Sequence, residues 1–262
     1  MKRFAVLGAP IEHSLSPALH SYLYKKLALS AGYERFEVKQ GELKGFLASH
    51  DSKEWNGFSL TMPLKEEGLH DCVSLSEEAI ETSSINTLPR IANGWKGFNT
   101  DVFGFRFLLE RISEAGGPEN DGDISVLGAG GTARAALVAL RNCGRGIKVF
   151  RRNSERDGSL MRANPDIEII DWSEVSSAFN SAILINCAPV DAMTSVESKI
   201  PFNGFLLDSL YSPWPTPLMK IANSGFLSGK DLLVAQAIQQ FEIFFDLSLE
   251  RDSTFKELRA LI

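Results

Sequence analysis

Residues 124–133 read Ile124-Ser125-Val126-Leu127-Gly128-Ala129-Gly130-Gly131-Thr132-Ala133. A short apolar run gives way to a glycine-rich turn. An alanine-rich stretch follows, with Ala136, Leu137 and Leu140 on one side, and is expected to close at Gly144. The spacing is G-x-G-x-x-G/A with Ala133 in the last place, and each position has a physical reason. Gly128 permits a tight turn, Gly130 lets the backbone approach a pyrophosphate, and Ala133 lets helix and strand pack closely. The helix N-terminus then offers its N–H groups to an anion. Strand, turn and helix occur in the order the motif needs; the alternative is a tight turn that binds nothing. The next apolar run, Ile147–Phe150, ends in Arg151-Arg152-Asn153. A site preferring NAD carries Asp or Glu near this point for the ribose 2′-hydroxyl. Two guanidiniums stand here and no carboxylate, which suits a 2′-phosphate and favours NADP. A solvated basic strand end is the alternative.

Outward from this unit the same alternation recurs. Ile167–Ile170, Ala182–Asn186 and Phe205–Asp208 are apolar runs of strand length, as expected for strands buried on both faces. Towards the N-terminus, strands are predicted at Phe4–Leu7, Tyr33–Val38 and Gly57–Thr61. Ile85–Leu88 and Trp95–Phe98 flank Asn93-Gly94, a hairpin signal. Ser16-Pro17 opens a helix predicted to reach about Leu29 and end near Gly32, with Ser16 as its cap. A second helix is predicted over Asp101–Ile112. The polar stretch Glu119–Asp123 after Gly116-Gly117-Pro118 is a candidate seam. Leu232, Leu233, Ala235, Ile238, Phe241 and Phe245 form a helical stripe in Asp231–Phe245, expected to pack back on the first part of the chain. There is no internal repeat and no long linker. The pattern is that of an α/β protein with mostly parallel sheets.

Composition narrows the function classes. The chain has 262 residues, 44% hydrophobic and 23% charged, ordinary for a globular protein with a real core. A net charge of −6 argues against a nucleic-acid footprint. Cys72, Cys143 and Cys187 are odd in number and scattered, which fits a reducing compartment and the cytoplasm. No run is long enough for a membrane helix, and the apolar start stops at Gly8-Ala9-Pro10, too short for a signal peptide. His13, His20, His50 and His70 lack ligand spacing, no CxxC pair exists, and no metal is expected. A Gly-x-Ser-x-Gly elbow is also absent.

Four polar clusters in the first part are hard to place in a core: His13–Pro17, Thr61–Lys65, Ile85–Thr87 and Gly97–Asp101. Each follows a predicted strand, where open α/β sheets bind ligands, so they are expected to converge. At these residues the sequence resembles the shikimate dehydrogenase family. The shared segments are Ser14–Pro17, Thr61–Lys65, Asn86-Thr87, Asn99–Gly104 and Gly128–Gly131, in that order. Asp208–Pro213, Thr216–Leu218 and Gly229 with Gln236 also match, so the resemblance covers nearly the whole chain.

The resemblance implies an N-terminal α/β substrate domain and a Rossmann-type dinucleotide-binding domain with a cleft between them. Residues 1–101 with 229–262 would form the first, and 102–228 the second. It implies NADP-dependent, reversible reduction of 3-dehydroshikimate to shikimate in aromatic amino acid biosynthesis. Lys65 and Asp101 are the implied catalytic pair. Ser14, Ser16, Thr61, Asn86, Tyr211 and Gln236 are the implied substrate contacts. Gly128, Ala129, Gly130, Gly131, Thr132, Arg151, Arg152 and Gly229 are the implied NADP contacts. The partner is a small-molecule substrate, with no nucleic acid and no membrane, and the chain is expected as a monomer or homodimer. Plainer roles stand beside these: a helix cap for Ser16 or Asp101, a packed turn aromatic for Tyr211, a surface lysine for Lys65. Three positions depart from the family pattern. Ser59 stands where Asn is usual, Ser83 where Gly is usual, and Asn186-Cys187-Ala188 where Asn-Ala-Thr is usual. Ser59 would line the ring site with a shorter side chain, leaving quinate or an aminated ring as alternative substrates. A catalytically silent NADP-binding sensor is the alternative from another class.

Overall fold

The computed structural model describes residues 1–49, 54–112, 114–118, 121–193 and 201–262. The chain divides into two compact units, Met1–Thr100 with Leu233–Ile262, and Asp101–Leu232. Each is built around a six-stranded sheet.

The first unit contains β1 (Lys2–Gly8), α1 (Ser16–Lys26), β2 (Ala31–Glu37), α2 (Leu43–Ser49), β3 (Gly57–Leu60) and α3 (Leu64–Glu67). β4 (Ser74–Leu75), α4 (Glu77–Thr82), β5 (Thr87–Ile91) and β6 (Gly94–Gly97) follow. The strand order is β2-β1-β3-β5-β6-β4. β1 pairs in parallel with β2 and β3, whereas β5 is antiparallel to both β3 and β6. The predicted hairpin is present, with Ile91 opposite Gly94. This sheet is therefore mixed rather than mostly parallel.

One strand reversal corrects the expectation that all four polar clusters follow strands. Asn86 precedes β5. Because β5 runs backwards, its first residue, Thr87, lies opposite Ser59 near the end of β3. Asn86 thus reaches the same sheet edge as Thr61 and the residues after β6. The helix expected to run to Leu29 ends at Lys26, and Gly32 lies inside β2.

Alternate residues of β1 enter two cores. Phe4 and Val6 pack with Leu19, Leu23, Val234, Ile238, Phe241 and Phe244. Ala5 and Leu7 pack on the other face with Leu43, Trp55, Phe58 and Trp95. The apolar stripe expected to return to the first part does so: α9 (Gly229–Phe245) enters this unit at Leu233 and places Phe244 against Phe4, with ring centroids 4.7 Å apart. α9 presses so closely that a Cβ on Gly57 would lie 2.6 Å from the Phe244 ring. α10 (Arg251–Arg259) completes the layer.

The second unit runs α5 (Asp101–Glu110), β7 (Ile124–Leu127), α6 (Gly131–Ala139), β8 (Ile147–Arg151), α7 (Asp157–Ala163), β9 (Glu168–Asp171), β10 (Ile183–Asn186), α8 (Val190–Met193), β11 (Phe205–Asp208) and β12 (Phe226–Leu227). All its strand pairs are parallel, in the order β12-β11-β10-β7-β8-β9. Seen from β9, the order steps back to β7 and then onward to β12, the doubly wound arrangement. Its direction of build reverses between β7 and β10, where such folds bind ligands. The polar stretch proposed as a seam lies inside this unit, since α5 packs against α6 across it. Glu119 and Asn120 of that stretch are outside the described residues. No helix among the described residues is long and apolar enough to cross a membrane.

Candidate functional site

In the first unit, the C-terminal ends of β1, β3 and β6 and the start of β5 share one edge. Backbone bonds tie their loops together. Ala9 N–H donates to Met62 O at 3.0 Å, Leu60 N–H to Asn86 O at 2.8 Å, and Ile85 N–H to Lys65 O at 2.8 Å. Thr61, Lys65 and Asn86 are thereby neighbours. Lys65 stands in α3 and is half-buried.

The polar side chains at this edge hold one another. Asn86 Oδ1 accepts from Thr87 Oγ1 at 2.8 Å and from Thr100 N at 2.9 Å. With its carbonyl occupied, the carboxamide is left with its NH2 as the donor side. Asn86 Nδ2 reaches Gln236 Oε1 at 3.4 Å, and Thr100 Oγ1 reaches the same oxygen at 3.2 Å. Gln236 is anchored in turn by its Nε2 bond to Leu233 O at 2.8 Å. The structure therefore brings Thr61, Lys65, Asn86 and Gln236 together within one unit.

Ser16 is not the helix cap expected of it. Leu15 occupies the cap position without a side-chain bond, and Ser16 is the first helical residue. Its hydroxyl faces Tyr33 instead, and the side chain is buried. Ser14 is half-buried in the turn before α1, its N–H donating to Ile11 O at 3.0 Å.

Several residues of this edge carry no signal in the sequence. His20 is fully buried, stacks on Tyr33 at 4.3 Å and bonds Gln240 Oε1 through Nε2 at 3.1 Å. Burial pulls its pKa down to about 3, so the imidazole is neutral. Because Gln240 Oε1 only accepts, Nε2 carries the proton, and the buried Nδ1 has no partner. Tyr33 bonds Ser59, and burial raises its pKa well above the usual phenol value. The family segment around Asn99 is also structural here: Asn99 Nδ2 holds Thr82 Oγ1 at 2.9 Å and Ser84 O at 3.0 Å.

The second unit carries the remaining candidates. Asp101 is the first residue of α5, buried, where a carboxylate complements the helix N-terminus. Gly128 sits at φ +109°, and a Cβ there would lie 3.0 Å from Cys187 O. The turn itself demands this glycine. At Gly130 no described residue apart from its own chain neighbours lies within 4 Å of an added Cβ. The protein's own packing leaves open space there, so the residue suits the close approach of a pyrophosphate. α6 begins directly after it without a side-chain cap. The residues present therefore fit a dinucleotide. Arg134, another unexpected participant, is buried in α6 and braces the turn through Nη1 to Ala129 O at 3.2 Å.

The reading of Arg151 needs correction. Two carboxylates do stand beside it, one six residues onward and one on the neighbouring strand. Arg151 Nε donates to Asp157 Oδ1 at 2.7 Å and Nη1 to Asp171 Oδ2 at 2.7 Å, with Asp171 opposite Arg151 in the β8–β9 register. These bonds raise the Arg151 pKa, and Asp171, bonded by the Ser173 backbone and hydroxyl and by Arg151, falls below the usual range. Arg152 differs: its side chain is 53% exposed and only 3.7 Å from Asp191. Arg152 is the more exposed of the two guanidiniums.

Tyr211 and Gly229 adjoin a buried polar knot. Asp208 accepts from Asn186 Nδ2 at 2.8 Å, Leu210 N at 3.1 Å and Thr216 Oγ1 at 2.5 Å. This fixes the loop that bears half-buried Tyr211. A Cβ on Gly229 would meet Ser209 O at 2.3 Å, so backbone packing alone requires that glycine. Among the described residues no three His, Cys, Asp or Glu side chains gather as metal ligands, and His50 lies outside them.

A parallel doubly wound unit with an open glycine turn, together with a mixed α/β unit edged with carboxamides and hydroxyls, defines the class of two-unit dinucleotide-dependent oxidoreductases. Comparison with known proteins narrows the class. A family profile described as "Shikimate dehydrogenase substrate binding domain" matches residues 6–88. The shikimate dehydrogenase (NADP(+)) of Pelagibacter ubique is 31% identical over 261 residues, covering 96% of each chain. A crystal structure of shikimate 5-dehydrogenase from Thermus thermophilus, in complex with NADP(H) and shikimate, superposes with a TM-score of 0.82. It is 29% identical and covers 100% of both chains. The pentafunctional AROM polypeptide of Candida tropicalis is 32% identical over 92% of this chain, which spans only 17% of that much longer protein. The chain belongs to the shikimate dehydrogenase family.

Proposed function

We propose that this chain catalyses the reversible NADP-dependent reduction of 3-dehydroshikimate to shikimate. The observation that carries this reading is the ordered array of Asn86, Thr100 and Gln236 at the edge of the first sheet. Carboxamides and hydroxyls offer both donors and acceptors, which suits a ring bearing several hydroxyl groups. Ser14 and Ser16, at the start of α1, take the ring carboxylate, favoured there by the helix N-terminus. Thr61 and Tyr211 complete the substrate contacts.

Bound NADP supplies the hydride acceptor or donor. The chain supplies orientation and the proton. During oxidation Lys65 takes the proton of the reacting hydroxyl, and in reduction it returns it. Asp101 is assigned to the same catalytic step by the family resemblance. Gly128 to Thr132 receive the pyrophosphate, and Arg152 the 2′-phosphate, with Arg151 holding the strand end behind it. In this reading residues 1–101 and 229–262 serve the substrate and 102–228 the cofactor. Three free cysteines suit a reducing cytoplasm, where the enzyme works as a monomer or homodimer.

The test follows absorbance of NADPH with shikimate or quinate, using NADP or NAD. Fastest turnover is expected with shikimate and NADP. Quinate preference would assign the site to the related ring, a reading that the Ser59 departure keeps in view. NADP binding without turnover of either would make the chain a sensor.

A further inference from the structure

The family pattern places a carboxamide two residues before Thr61, and this chain has Ser59 there. The structure contains a carboxamide at that place all the same, delivered from another element. Ser59 lies on β3 directly opposite Thr87. Its Oγ donates to Gln240 Oε1 at 2.6 Å, and Gln240 comes from α9. Gln240 Nε2 donates to Thr87 Oγ1 at 2.8 Å and to the Asn86 carbonyl at 3.1 Å. Its Oε1 also receives His20 Nε2. All four hydrogen-bonding positions of the Gln240 carboxamide are thus taken. A flipped amide would set two acceptors, Oε1 and Asn86 O, against each other, so the orientation is determined.

We infer that Gln240 is a positioning residue for the substrate ring, standing in from α9 for the carboxamide that β3 lacks. With no bond to spare, it does not touch substrate. It acts through the residues it holds. On one side, Thr87 Oγ1 accepts from Gln240 and passes its own hydrogen to Asn86 Oδ1, which fixes the Asn86 donor. On the other, Ser59 accepts from Tyr33, and Tyr33 from Ser16. One buried amide therefore links the Ser16 side of the site to the Asn86 side.

This inference rests on the proposed reaction, and the experiment separates the two. Steady-state kinetics with shikimate and NADP are measured for the unaltered enzyme, Gln240→Ala, the isosteric Gln240→Met, Ser59→Asn/Gln240→Ala, and Gln239→Ala as a control on the same helix. Thermal unfolding is recorded for each. Leaving His20 Nε2 and the Ser59 hydroxyl hydrogen without their acceptor, and Thr87 Oγ1 and the Asn86 carbonyl without their donor, is expected to raise the shikimate KM about tenfold or more. The NADP KM should stay within about twofold, since the cofactor residues are untouched. Returning a carboxamide to β3 in the double variant should restore the shikimate KM to within about threefold of the unaltered enzyme, which a merely structural role does not predict. An unaltered shikimate KM in Gln240→Ala or Gln240→Met overturns the inference and leaves the reaction standing. Absence of shikimate turnover in the unaltered enzyme overturns both. If neither single variant folds, the double variant decides: recovered KM supports the inference, and an inactive or unfolded product overturns it.

Discussion

Arg151 and Arg152 are adjacent in sequence and opposite in circumstance. Two carboxylates hold the first closely, while the second is half exposed and meets Asp191 only at 3.7 Å. Replacing Arg152 with Ala is expected to raise the NADP KM about tenfold or more, the scale of one lost charge-assisted bond. KM for NAD should not move. Arg151→Ala should change the NADP KM by no more than about twofold, since its guanidinium is committed to Asp157 and Asp171. Equal losses in both variants would return Arg151 to the phosphate. At Lys65, replacement by Ala removes the proposed proton carrier without disturbing the second unit. A fall in kcat of about 10²-fold or more is expected, with NADP affinity unchanged by titration, and full activity would remove Lys65 from the mechanism. Lys65 was legible because its neighbours spell a local motif. Gln240 and His20 were not. Their partners are 181 and 220 residues away, and a glutamine or histidine on an apolar helix carries no local sign of them. The carboxylates on Arg151 were hidden likewise, one of them by a strand register.

The elements most legible in the sequence were those whose local pattern and tertiary setting agree. β11 begins and ends where its apolar run does, and the turn from β7 to α6 has its expected glycines. The short helices were missed: α2, α3 and α4 have seven, four and six residues, less than the two turns a helical period needs to show. The antiparallel pairing of β5 with β3 was also hidden, although its hairpin with β6 was signalled by Asn93-Gly94, because which strands lie side by side is set by tertiary pairing rather than by composition. The two glycines of the β7–α6 turn make separable predictions. Gly130→Ala adds a Cβ with no described residue beyond its chain neighbours within 4 Å, so the melting temperature without cofactor should stay within about 2 °C. The rise in melting temperature on adding NADP should be largely lost, since the methyl occupies the space meant for phosphate. Gly128→Ala places a side chain at φ +109° against Cys187 O and should lower the melting temperature with no cofactor present. A Gly130→Ala protein that is destabilised and still shifts with NADP would reverse this assignment.

Acid stability tests the chain as a whole, because groups in both units contribute with different signs. His20 has a folded pKa of about 3 against an ordinary 6.5. The unfolded chain therefore binds its proton first as the pH falls. Well above pH 6.5 the imidazole is neutral in both states and contributes no slope. Between that value and 3 stability declines as the pH falls, by at most about 1.4 kcal/mol per pH unit. Asp208 works the other way. Burial raises its carboxyl, the folded chain holds that proton more tightly, and stability is gained as the pH falls towards the usual carboxylate range. Asp171 and Glu257, both lowered, by Ser173 and Arg151 and by Lys26 and Tyr22 respectively, lose their stabilisation only below that range. Below about pH 6.5 the decline from His20 is therefore opposed by the raised carboxyls of Asp208 and Asp71. Urea unfolding at several pH values between about 6.5 and 4.5 isolates the His20 contribution as the difference in slope between the unaltered chain and His20→Phe. His20→Phe keeps a ring against Tyr33 but takes up no proton. It should be less stable near neutral pH, for want of the bond to Gln240, and should lose less stability than the unaltered chain as the pH falls across the same interval. A slope unchanged by His20→Phe would assign the proton uptake to another group and leave His20 as packing alone.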